Sequence, residues 1–126
     1  MEQKVSVAEL RARVLEVLAG HVGKEKAIGM GELFEAVYGR PWRHRINDTR
    51  PLRHLISDLR QRGIPICSIQ GGDGYYLPAT ESELLDYTAR DKMRALRILA
   101  RVARMHKISL PRLIGQINME LSDDAA

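Results

Sequence analysis

The hydrophobic period of this chain changes abruptly at Gly63, and that change constrains the fold more than any other feature. Upstream, Leu52, Leu55, Ile56 and Leu59 recur at i, i+3, i+4 and i+7, the spacing of one helix face. Gly63 stands at the C′ position, where a left-handed residue commonly ends a helix. Downstream, "IPICSI" (Ile64 to Ile69) is a short, proline-led strand. "QGGDG" supplies residues that tolerate the positive φ values of a tight hairpin, and "YYLP" returns as a second strand that stops at Pro78. Gly74, Tyr75 and Tyr76 serve the hairpin, with Tyr75 or Tyr76 expected against the preceding helix.

That helix is expected to open at Asp48, a natural N-cap, so that Pro51 falls in the first turn and its missing N–H leaves no bond unmade. Arg50, Arg53, His54, Ser57, Arg60 and Gln61 take the faces left by the apolar stripe, which makes the helix basic on one side. Earlier in the chain, Val5 to about His21 reads as an amphipathic helix with Ser6 as N-cap and Gly20 and Gly23 closing it. Lys24 to Gly29 is a connector. Met30 to Val37 is a second helix with Leu33, Phe34 and Val37 inward, and Gly39 stops it. After the hairpin, Thr80 and Glu83 form a capping box that opens a long helix running to about Lys107. A short helix from Pro111 to about Leu121 follows, and "SDDAA" is expected to fray. The fold class is therefore mainly α with a small β-hairpin, divided into a domain over 1–79 and a C-terminal helical extension over 80–126.

Charge is concentrated rather than spread. The net charge is +4 overall, but Arg40 to Arg62 carries seven arginines against two aspartates, and Arg90 to Lys107 carries seven basic residues against Asp91. The blocks between and around them are acidic or near neutral, an asymmetry that points to a nucleic-acid partner. The lone Cys67 excludes a disulfide framework and a cysteine-rich zinc site, and it reads as a small buried apolar residue. His44 and His54 stand at no metal spacing with other ligands. No nucleophile–His–acid set, phosphate loop or glycine-rich cofactor turn is present, so no enzyme activity, cofactor, metal or small-molecule ligand is expected. Without a membrane-length apolar run or a signal-peptide core, the expected location is the reduced cytoplasm.

Helix, helix, basic helix, then hairpin is the order of the winged helix-turn-helix family, and "DTRPLRHLISDLRQRGIPICSIQGGDGYYLP" (Asp48 to Pro78) resembles that family in its residues. Leu59, Arg60, Gly63, Ile64, Ile66, Gly74 and Tyr75 stand where the N-terminal domain of the biotin repressor and similar bacterial and phage regulators carry their Leu-Arg-x-x-Gly-(Ile/Leu)-x-Ile … Gly-Tyr pattern. The resemblance covers about Val5 to Pro78. It implies binding to double-stranded DNA, with the third helix in the major groove. Thr49, Arg50, Arg53, His54 and Ser57 would then face base edges, while Arg40, Arg43, His44 and Arg45 contact phosphates from the loop. Gln70, Gly71, Gly72, Asp73 and Gly74 would form the wing, which lacks Lys and Arg and is expected to contribute little. One departure stands out: about nine residues, Gly39 to Asn47, separate the second and third helices, where the compact motif uses three or four.

Three residues in this region have plainer roles to weigh. Trp42 is expected to pack the loop against the core, with stacking on a nucleotide as the alternative. Arg60 and Arg62 can pair with Asp58 or the helix C-terminus instead of DNA. On the long helix, Leu85, Ala89, Met93, Leu96, Ala100 and Ala103 form an apolar stripe for packing or for a homodimer, flanked by arginines at 90, 94, 97, 101 and 104. The expected function is that of a small bacterial, phage or prophage transcription regulator. The alternatives are a winged-helix protein-interaction module and a phage replication accessory protein without sequence readout.

Overall fold

The computed structural model describes residues 5–72 and 74–125. Three helices come first: α1 (Val7–Leu18), α2 (Met30–Tyr38) and α3 (Arg45–Gln61). They pack pairwise around Val14, Leu18, Leu33, Phe34, Val37, Leu52, Leu55, Ile56 and Leu59, all buried. These are the positions the helical spacing selected, because only an apolar stripe about 100° wide can be removed from water when helices meet face to face. Two of the expected boundaries hold. The Ser6 hydroxyl accepts the Glu9 N–H at 3.1 Å, and Gly39 ends α2 in the left-handed region at φ 74°. The helical spacing over Val5 to His21 also includes Val7 and extends to Val22, but both are exposed: Val7 is the first residue of α1, and α1 ends at Leu18, so that Val22 lies beyond it and forms a bridge to Leu77.

The hairpin is part of a slightly larger sheet. Strand β1 (Ile28–Gly29) lies inside the stretch expected to be a plain connector and pairs antiparallel with β3 (Gly74–Tyr76). In turn, β3 pairs antiparallel with β2 (Cys67–Ser68), giving the order β1-β3-β2. A two-residue strand carries no period, so β1 had no pattern to betray it. The register sets Gly29 opposite Gly74, and a Cβ on Gly74 would lie 3.1 Å from Ile69 and 3.2 Å from Ala27. Glycine here permits close approach. Cys67, Tyr75 and Tyr76 are buried, and burial raises the pKa values of both the Cys67 thiol and the Tyr76 hydroxyl.

The long helix α4 (Glu81–His106) opens on the expected capping box, with the Glu83 N–H donating to the Thr80 hydroxyl at 3.1 Å. The Glu83 carboxylate accepts the backbone N–H of Lys24 at 2.8 Å, which fastens the start of α4 to the turn before β1. At its far end Lys107 takes φ 56°, and the Ile108 N–H returns to the Ala103 carbonyl at 3.0 Å, a left-handed stop without glycine. The last helix, α5 (Leu110–Ala125), runs on through Ser122, whose hydroxyl bonds the Asn118 carbonyl, so the expected frayed tail is helical as far as Ala125. The chain divides into two compact units, one ending at Tyr87 and the other beginning at Thr88.

Candidate nucleic-acid interface

The basic segment folds differently from expectation at its start. Helix α3 begins at Arg45, one turn before the predicted cap, and His44 is its N-cap, with Nδ1 accepting the Asn47 N–H at 3.1 Å. Asp48 still caps, but from inside the first turn. Its Oδ2 accepts the backbone N–H groups of Arg43 at 2.6 Å and His44 at 2.9 Å. Those two bonds, aided by the nearby Arg40 charge, hold the Asp48 carboxyl below its usual pKa. The reciprocal arrangement is a capping box shifted by one residue. The connector after α2 therefore shortens from nine residues to six, Gly39 to His44.

The earlier start places Pro51 in the helix interior, not in the first turn. Proline has no N–H for the Asn47 carbonyl and crowds the preceding turn, a cost of about 3 kcal/mol in an unsupported helix. Side chains support that turn here. The Thr49 hydroxyl donates to the Arg45 carbonyl, and the Arg53 guanidinium donates to the Ile46 carbonyl at 2.9 Å. Thr49 is 2% exposed and belongs to the core side of α3, so its expected place in base readout is corrected. With the helix phase extended back by one turn, Thr49, Leu52 and Ile56 fall on one stripe at i, i+3 and i+7.

Arg50, Arg53, His54 and Ser57 are all exposed on the opposite face. Ile46, 58% exposed, and Asn47 join them at the N-terminal end, and neither was singled out from the sequence. The missed signal was the helix boundary itself. Below this face Leu52, Leu55, Ile56 and Leu59 fix the rod in the core. The ion pairs among the described residues are Arg11–Asp58 at 3.1 Å, Arg62–Asp58 at 3.1 Å and Arg94–Asp91 at 3.6 Å, so none neutralises Arg43, Arg45, Arg50 or Arg53. Asp58, held below its usual pKa chiefly by the Arg62 hydrogen bond, lies toward α1.

The other expected contacts are distributed unevenly. Arg40, Arg43, His44 and Arg45 are all exposed, and the Arg40 guanidinium lies 5.1 Å from the Phe34 ring centroid. Trp42 lays its indole edge on Gly31, where any side chain would collide with it, so the loop is packed as expected although the ring is 39% exposed. Arg62 pairs with Asp58. Arg60 takes neither expected partner: its Nε donates to the Ile66 carbonyl at 2.7 Å and its Nη2 to the Tyr87 hydroxyl at 2.9 Å.

At the wing, Gln70, Gly71 and Gly72 are exposed, with Gly71 at φ 75° and the Gly72 N–H closing the turn onto the Ile69 carbonyl. Gly74 is buried in β3 rather than at the tip, and Asp73 lies outside the described residues. Along α4, Leu85, Ala89 and Met93 are exposed, Leu96 and Ala100 half-buried, and Ala103 buried. Among the described residues no group of three or more His, Cys, Asp or Glu is placed to hold a metal ion, and no helix is long and apolar enough to cross a membrane. Comparison with family models, curated proteins and solved structures returned no match.

Proposed function

We propose that the first unit is a winged helix that binds double-stranded DNA in a sequence-specific manner, in a small cytoplasmic transcription regulator of bacterial or phage type. One observation carries this reading. The outer face of α3 presents Arg50, Arg53, His54 and Ser57 to solvent with no carboxylate paired to them, while the inner face is locked into the core. An α-helix fits the major groove, and residues of its N-terminal half reach base edges. Arg50 is suited to a guanine's paired acceptors, Asn47 to adenine, and Ile46 to a thymine methyl group. Arg43, His44 and Arg45, exposed just before and at the helix start, are placed to meet phosphates and so to set register without reading sequence. The short wing, with no basic residue, adds little.

A homodimer accompanies this reading, because two recognition helices related by a two-fold axis match a pseudo-palindromic site. Its support is apolar surface in the second unit: Met93, Ile98, Met105, Met119 and Leu121 are all exposed. The test is a mobility shift with pooled random duplexes, sequencing what is retained. Enrichment of a half-site, lost on Arg50→Ala, is the expected result. Failure to retain any duplex at low salt would end the proposal.

A further inference from the structure

The outer side of α4 takes no part in the interface proposed on α3. Arg90, Arg94, Arg97, Arg101 and Arg104 follow one another at intervals of four, three, four and three residues, and all five are exposed. At 100° per residue they fall within an arc of about 80°, and at 1.5 Å per residue they extend along about 21 Å of helix. On the other side of the helix Leu96 and Ala100 are half-buried and Ala103 is buried. Asp91, at 3.6 Å from Arg94, is the lone carboxylate paired with the ridge among the described residues, and both side chains are well exposed. The result is a straight row of cations about one helical turn apart.

We propose that this ridge is a second, sequence-independent binding site for the phosphate backbone of duplex DNA, a proposal that rests on the chain being a duplex-DNA binder. Three features favour phosphate over other anions. The basic groups are all arginine, whose planar fork pairs with phosphate through two parallel hydrogen bonds. Their regular spacing suits a polymer whose charges repeat regularly, about every 3.4 Å of rise along each strand. A helix that lies on a membrane surface keeps a face of Trp, Phe or Leu free on the side opposite its cations. Here the helix has no Trp or Phe, and Leu96, Leu99 and Ala103, on the side opposite the ridge, are half-buried or buried.

The test uses the full chain with Arg94, Arg97 and Arg101 all changed to Gln, a good helix former, and circular dichroism to verify that helix content is kept. Affinity for random and selected duplexes is measured between 50 and 200 mM salt. Loss of three phosphate contacts should make the slope of log K against log salt shallower by about 2.7, so that the wild type loses about 40-fold more affinity than the variant across that range. The loss should be equal for every duplex, with the half-site preference intact. Unchanged slope and affinity, while Arg50→Ala still abolishes preference, would overturn the ridge and leave α3 standing. The reverse pattern, a ridge effect with Arg50→Ala indistinguishable from wild type on every duplex, supports the ridge and removes α3 from readout. Retention on anionic phosphatidylserine vesicles in place of duplex would overturn the ridge assignment.

Discussion

Arg50 and Arg60 lie ten residues apart on α3, and under the proposed function they have opposite jobs. Arg60 holds the fold. Its guanidinium donates to the Ile66 carbonyl and to the Tyr87 hydroxyl, and it lies 5.7 Å from the Tyr87 ring centroid. The Tyr87 hydroxyl in turn meets the Ser68 hydroxyl at 3.1 Å, so one side chain ties the end of α3 to β2 and to the first turns of α4. Hydrogen bonds to a charged donor contribute about 1.5–3 kcal/mol when buried and less near solvent, and an exposed cation–π contact about 0.5–1 kcal/mol. Allowing for partial exposure, Arg60→Ala should destabilise the protein by about 2–3 kcal/mol in urea unfolding. Its affinity for DNA, measured where the variant remains folded, should stay within about twofold of wild type. Arg50 has no partner to lose, and alanine is the better helix former, so Arg50→Ala should alter stability by no more than about 0.5 kcal/mol. If Arg50 spans a guanine's acceptors, its loss should cost about 1–3 kcal/mol of binding, or about 5- to 150-fold, on the preferred duplex alone. The paired outcome is the test. A large stability loss for Arg50→Ala, or a selective binding loss for Arg60→Ala in a fully stable protein, would refute the division of roles.

Two further predictions concern the loop and the core. Asp48 is deprotonated in its cap and its carboxyl is held below the unfolded value, so its contribution is complete above the ordinary carboxylate range and disappears as pH falls through the lowered folded pKa. Trp42, the sole tryptophan, stands beside that cap, and its emission should shift to the red over this acid range in wild type but not in Asp48→Asn; an identical acid shift in the variant would break the link. The Tyr38 hydroxyl is buried without a hydrogen-bond partner among the described residues, and burial raises its pKa. Tyr38→Phe should therefore be neutral or stabilising by up to about 1 kcal/mol, since an unsatisfied buried hydroxyl is a net cost; a destabilisation above about 1 kcal/mol in urea would reveal a partner for that group.

The legible parts of this fold were those with a period or a stop. The apolar stripes of α2 and α3, and Val14 and Leu18 of α1, went where their spacing pointed, and Ser6, Gly39, Gly63 and the Thr80–Glu83 box marked boundaries by stereochemistry that holds in any context. What escaped was whatever depends on partners distant in sequence. Strand β1 exists because β3 reaches it. Arg60 was open between several roles until the chain folded back and brought the Ile66 carbonyl and Tyr87 to its guanidinium. The candidate interface was legible as a face, with Arg50, Arg53, His54 and Ser57 all exposed, but not in its phase at the N-terminal end.

That phase follows from a competition between two local rules. Asp as N-cap with Pro in the first turn is the simpler reading of "NDTRP", since it costs nothing at the proline. The chain instead places Asp48 one turn inside, where its carboxylate accepts two backbone N–H groups rather than one, and His44 satisfies a third. The proline's missing bond is then offset by Thr49 and Arg53, both donating to carbonyls of the first turn. Arg53 is consequently bound to the geometry of the helix end as well as exposed on its outer face, and alanine at 53 would loosen the turn that carries Ile46 and Asn47 even if Arg53 never touched a base. Arg50, with no such duty, lets the proposed recognition be tested apart from architecture. The extra turn also brings the interface closer to the compact helix–turn–helix than its sequence indicated. Six connecting residues instead of nine leave less slack between α2 and α3, and the loop that remains is held by Trp42 on Gly31 and by Asp48 at its end. A rod fixed at both ends can present its outer side chains with little ordering left to do on binding, which is the condition for their hydrogen bonds to appear as affinity.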